Sequence, residues 1–192
     1  MARLWIVCSL SAMFLLLSCN RSGAPITPLI SAARDGDTAG IVRLLQAGAN
    51  PNEGGGVNNW PPLLHAIHKK QLASLRALIA GGADINVASP VGETPLMMAA
   101  GYGDTAAVRL LLAAGSDPRK EDNDEKTALD YAVAGVPDID EFTVGACQTG
   151  TVQALLEKDP ALKLVSGGFG KAERLKTRLR GCTTIAQLVD HR

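Results

Sequence analysis

Four segments of this chain align on one another at a spacing of about 33 residues, and no other feature narrows the fold as far. They read TPLISAARDGD from Thr27, PPLLHAIHKKQ from Pro61, TPLMMAAGYGD from Thr94 and TALDYAVAG from Thr127. Their second positions are Pro28, Pro62, Pro95 and Ala128, so the spacings are 34, 33 and 33. A proline suits the first turn of a helix, where the N–H it lacks has no intrahelical partner to lose. Twenty residues after each of the three prolines stands Gly48, Gly82 or Gly115, a residue able to take the left-handed conformation that ends a helix.

Between these marks the apolar residues recur at i, i+3 and i+4: Ile41, Leu44 and Leu45; Leu75, Leu78 and Ile79; Val108, Leu111 and Leu112. That spacing draws one stripe along a second helix. Two short helices with small alanines between them cannot bury such a stripe alone, so successive units must stack. The pattern, fullest in GETPLMMAAGYGDTAAVRLLLAAGSDP, resembles the ankyrin repeat. The resemblance implies an all-α solenoid of about four helix-turn-helix units. Their hairpin fingers are expected at 53–60, 87–93 and 119–126.

The fourth unit departs from the pattern. Its second stripe, Val152, Leu155 and Leu156, begins 24 residues after Ala128 where 13 is the rule, so about 11 residues are inserted. Long loops within a compact array are usually functional or pinned down. After Pro160 the repeat disappears. A basic stretch at 171–180, a break at Gly181 and a short segment from Thr183 read as a divergent helical C-terminal cap with a polar outer face.

The N-terminus carries a different message. One charge, Arg3, precedes an uncharged run at 4–17, about 14 residues where a bilayer span needs ~20. A charged start, a short apolar centre and a small residue at the end describe a secretory signal, which is set aside from the fold. Leu16, Leu17 and Ser18 before Cys19 resemble the lipobox of bacterial lipoproteins. That resemblance implies cleavage after Ser18, acylation of Cys19 and a place in the cell envelope facing the periplasm; Asn20 favours the outer membrane over the inner. The resulting boundaries are 1–18 for the signal and 19–26 for a lipid-anchored linker. The repeats follow at 27–60, 61–93, 94–126 and 127–160, the last holding the insertion at 136–148, and the cap occupies 161–192.

With Cys8 in the signal and Cys19 lipidated, Cys147 and Cys182 remain. In an oxidising compartment an even pair of thiols is expected to form a disulfide, here stapling the insertion to the cap. The formal net charge is +0, so nothing in the total points to nucleic acid. The segment 117–141 holds nine acids against three bases, while 163–192 holds seven bases against two acids. Such segments read as solvated faces or as attractors of a bipolar partner.

No catalytic, metal or cofactor site emerges. GGFGKA at 167–172 lacks the upstream glycine and the Ser or Thr after Lys171 that a phosphate loop needs. His65 and His68 share a helix face, but no Cys or acid is placed to complete a metal site with them. The expected function is therefore non-catalytic binding of a protein partner in the envelope by a chain that is a monomer when unbound. An immunity protein against a secreted toxic effector is the sharper form, and support of a periplasmic enzyme or stress response the alternative.

The ankyrin resemblance places partner contacts at Val57, Asn58, Trp60, His68 and Lys69 of the second unit, and at Pro90, Val91, Glu93 and Tyr102 of the third. The third finger adds Asn123, Asp124 and Lys126. For Trp60, the one tryptophan beyond the signal, two readings stand: an exposed interface anchor, or a ring packed beneath its glycine-rich finger.

Overall fold

The computed structural model describes residues 24–134 and 148–163. The signal segment, Cys19, Cys147, Cys182, the insertion up to residue 147 and the cap beyond residue 163 lie outside them. Among the described residues the structure is all-α, with eight helices in four pairs: α1 Pro28–Asp35 and α2 Thr38–Gln46, α3 Pro62–His68 and α4 Leu72–Ala80, α5 Pro95–Gly101 and α6 Thr105–Ala114, α7 Ala128–Ala134 and α8 Thr149–Lys158.

The helices begin where the sequence offers caps. The Thr27 hydroxyl accepts the Ile30 N–H at 3.2 Å, and the Thr94 hydroxyl accepts that of Met97 at 3.3 Å. At the second helices Asp37 accepts from Gly40 N–H at 2.8 Å and Asp104 from Ala107 N–H at 3.0 Å. Each such oxygen satisfies one of the four N–H groups a helix start leaves without a partner. Gly48, Gly82 and Gly115 all have positive φ, 88°, 85° and 101°, as their spacing predicts.

Packing runs in two layers. Helices α1, α3, α5 and α7 lie side by side, α2, α4, α6 and α8 form the second row, and each pair closes on itself. Alanines 32, 33, 66, 99, 100 and 132 are buried in the first row, where small side chains let backbones approach. Leu75, Leu78, Val108, Leu111, Val152 and Leu155 are at most 1% exposed, so the predicted stripes are the core between rows. At the N-terminal end Leu44 and Leu45 are only half-buried. Ile79, the last stripe residue of the second unit, is half-buried as well.

Ser74, in α4, is fully buried with a hydroxyl that has no hydrogen-bond partner. Ala107 holds the corresponding place 33 residues on. Removing an unsatisfied buried hydroxyl recovers its desolvation cost. Ser74→Ala is expected to stabilise the chain by about 1 kcal/mol, read as a higher urea midpoint at unchanged slope; a lower midpoint would show that the hydroxyl is satisfied.

Candidate functional site

The second unit breaks the local rules its neighbours obey. Pro61 stands where threonine caps α1 and α5, and Gln71 where aspartate caps α2 and α6; neither gives a side-chain cap. Lys70 occupies the left-handed position that Gly36 and Gly103 fill in adjacent units, at φ 54°. Lost caps and a left-handed non-glycine each cost on the order of 1 kcal/mol. Local violations of this kind concentrate where a protein is shaped for function.

What this unit carries instead is a run of rings. Trp60, at the end of the first finger, meets His65 edge-on at 5.8 Å between centroids and His68 at 5.7 Å. His68 in turn meets Tyr102 of the third unit at 5.9 Å, with its Nδ1 2.8 Å from the Tyr102 hydroxyl. Edge-to-face pairs at these distances are favourable beyond the area they bury. His65 reaches back to the finger: its Nε2–H donates to the Gly55 carbonyl at 3.3 Å. Gly55 exchanges two backbone hydrogen bonds with Trp60, at 3.0 and 3.1 Å. The histidines thus tie finger, helix and neighbouring repeat into one unit.

Both histidines have pKa values below the ordinary 6.5. For each, burial is the leading cause, and the positive charges of Arg34 and Lys69 add to it. A histidine whose folded pKa is depressed leaves the unfolded chain as the better proton acceptor, so its stabilising contribution is complete above about 6.5 and declines as pH falls below that value. The denaturant midpoint is expected to be lower at pH 5.5 than at pH 7.5. The difference should shrink in the His65→Gln, His68→Gln double variant; an equal difference in both proteins would remove the histidines as its cause. The carboxylates of Glu157 and Asp159, lowered by side-chain hydrogen bonds led by those from Gln153 and Arg119 respectively, act in a more acidic window.

The fingers present the rest of the expected contact residues. Val57 is 87% and Val91 59% exposed, both at finger tips. Asn58 and Pro90 are exposed beside them, as is Lys69 at the end of α3, while Trp60, His68 and Glu93 are half-buried. The second and third fingers are joined: Val91 carbonyl accepts from Asn123 N–H at 3.2 Å, and Pro90 carbonyl from the Asn123 amide at 3.2 Å. Gly92 makes this possible, because at φ 83° a Cβ there would stand 2.8 Å from the Asn123 backbone nitrogen. Lys126 is turned back onto Asp124 at 2.8 Å. Tyr102 departs from its expected place on the exposed face: it is 5% exposed. Its ring supports His68 from within.

Sequence reasoning missed the role of Gln148, whose amide donates to the Gly101 carbonyl at 3.0 Å and seats the end of the insertion against α5. It also missed the contribution of the N-terminal segment, where Gly56 N–H donates to the Ala24 carbonyl at 2.7 Å. The GGG run at 54–56 was the available signal. Among the described residues no group of three or more His, Cys, Asp and Glu side chains is arranged to hold a metal ion.

Comparison with known proteins follows the same lines. A family model described as "Ankyrin repeats (3 copies)" matches residues 72–164, and one described as "Ankyrin repeat" matches residues 26–55. The chain is 37% identical over 120 residues to a protein of Oryza sativa subsp. japonica named "Probable E3 ubiquitin-protein ligase XBOS33", a match covering 60% of this chain and 22% of that one. It is 32% identical over 107 residues to a protein of Treponema pallidum (strain Nichols) named as ankyrin repeat-containing, covering 55% and 36%. Against the mitochondrial disaggregase of Homo sapiens it is 34% identical over 138 residues, covering 67% and 20%. The chain spans well under half the length of each of these relatives.

Proposed function

We propose that this chain, which belongs to the ankyrin-repeat family, is a non-catalytic protein-binding module held at the bacterial envelope. Ankyrin repeats make it a protein–protein interaction module; the envelope and the partner's class are our reading. The observation that carries the binding site is the half-buried Trp60 between two histidines, beside a second finger whose Val91 is exposed. A large ring at the edge of a groove, supported from behind, is the form interface hot spots take. The second unit's lost caps support the same assignment.

The envelope reading rests on the LLLSC stretch at 15–19. It requires a diacylglyceryl Cys19 at the mature N-terminus, checked by mass spectrometry of the N-terminal peptide. A chain that retains residues 1–18 in the cell would overturn it. In that compartment Cys147 and Cys182 form the disulfide between insertion and cap. Thiol labelling of the denatured, unreduced mature protein is expected to find neither cysteine free, and labelling of both would refute the bridge.

The sharper function is immunity: the groove occludes a secreted toxic effector that enters the envelope. Deleting the gene should sensitise the cells to rivals that deliver such an effector, and restoring the wild-type chain but not Trp60→Ala should protect them. A phenotype confined to envelope stress without rivals would replace this role by support of a periplasmic enzyme.

A further inference from the structure

The first finger differs from the third in charge, and from the second in being crossed by the N-terminal segment at Ala24. The first finger has one charge, Glu53, and its tip, GGGVNN at 54–59, has none, whereas the third finger, RKEDNDEK at 119–126, has seven charges in eight residues. Its glycines accommodate the incoming chain: a Cβ at Gly55 would stand 2.5 Å from the Pro25 carbonyl oxygen and 2.7 Å from Ile30 Cδ1, and one at Gly56 would stand 3.1 Å from Ile26 Cδ1. Over these glycines Ala24 pairs with Gly56 in an antiparallel bridge. Four large apolar residues are exposed among the described residues, and two of them, Ile26 at 40% and Val57 at 87%, flank this clamp.

The clamp fixes a distance. From Cys19 to Ala24 there are five residue steps, which span at most about 17 Å even when fully extended. A lipid on Cys19 therefore holds the first finger within about 17 Å of the headgroups, less than the width of a small domain.

We propose that the clamp of Ala24 on Gly56 turns the first finger into a membrane-contacting edge, with Ile26 and Val57 resting on the lipid surface to which Cys19 is attached. This deepens the envelope reading above and rests on lipidation of Cys19. An uncharged tip with exposed apolar side chains enters the headgroup region without stranding a charge there, which the third finger could not do. The stack then stands with the uncharged tip of its first finger at the bilayer and its charged third finger away from it. Val57 belongs to the membrane contact, and the protein partner uses Trp60, His68 and the second and third fingers.

Trp60 is the sole tryptophan after residue 18 and reports the position of this finger directly. The full lipidated chain is reconstituted in vesicles of phosphatidylethanolamine and phosphatidylglycerol containing a dansyl-headgroup lipid, and energy transfer from Trp60 is measured. Transfer is expected to be strong in the native chain. It should fall at least twofold when a 20-residue Gly-Ser spacer is inserted after Ser22, when Gly55→Val displaces the clamp, or when Ile26 and Val57 are both replaced by Asp. Circular dichroism confirms that each variant is folded; the spacer and Asp variants leave the clamp glycines intact and keep the test open if Gly55→Val does not fold. Weak transfer in the native chain, or strong transfer unchanged by the spacer and by the Asp pair, overturns the proposal.

Failure of lipidation is seen separately, as a native chain that does not float with vesicles. The same readout is then taken on residues 20–192 held by an N-terminal hexahistidine to nickel-chelating vesicles. There strong transfer sensitive to the Asp pair supports the contact, and insensitivity refutes it.

Discussion

Trp60→Ala is expected to weaken partner binding by about 2 kcal/mol or more, roughly 30-fold in Kd, as truncation of an interface hot spot does. The same substitution is expected to lower the stability of the free chain by ~2 kcal/mol, since a buried tryptophan costs about 3–5 kcal/mol to truncate and this ring is half-buried. The two effects share one cause. The ring packs on His65 and His68, and His68 in turn holds Tyr102 of the next unit. Titration of the partner below the unfolding transition separates binding from folding, and Trp60→Phe should recover more of the stability than of the affinity. Loss of stability with unchanged Kd would place Trp60 in the scaffold alone.

Leu78→Ala is expected to destabilise the chain by about 2–5 kcal/mol, the range for truncating a buried leucine. Leu78 is fully buried in α4, whose neighbours in the outer row are α2 and α6. In a stack each unit is stabilised by the units beside it, so a cavity in the second unit weakens the first and third as well. Against a total of ~5–15 kcal/mol for a domain, such a loss is a large fraction. Val42→Ala, on α2 and 42% exposed, should change stability by no more than ~0.5 kcal/mol. Equal midpoints for the two variants would mean that the rows do not depend on one another as the packing indicates.

Much of this architecture was legible because its signals are local. The proline spacing, the three left-handed glycines and the i, i+3, i+4 stripes each act within one unit, and the helices follow them. The second helix of the fourth unit, α8, begins beyond the insertion at Thr149, where the late stripe places it.

The site was less legible, because its features depend on which side chain a neighbouring unit presents. Tyr102 follows the pattern of an exposed position, but His68 of the preceding unit supplies a hydrogen-bond partner and a ring, and the tyrosine is buried against it. Trp60 left two readings open, anchor or packed ring, and its half-buried position joins them. The Ala24–Gly56 bridge joins residues 32 positions apart through backbone atoms, which no side-chain period encodes. Only the glycine triplet hinted that something passes close by. The departures at Pro61, Lys70 and Gln71 were visible throughout, yet their meaning needed the ring cluster they surround.

The central claim, that the groove and fingers of this stack hold a protein partner, is tested most directly by site-specific photo-crosslinking in the producing cells. A photoreactive phenylalanine is placed at Val91, at Asn123 or at Val42 of the full chain. One discrete adduct is expected from Val91 and from Asn123, of the same mass, absent from Val42 and lost when Trp60→Ala is added. An adduct from Val42 alone, or adducts at the fingers indifferent to Trp60→Ala, would contradict it.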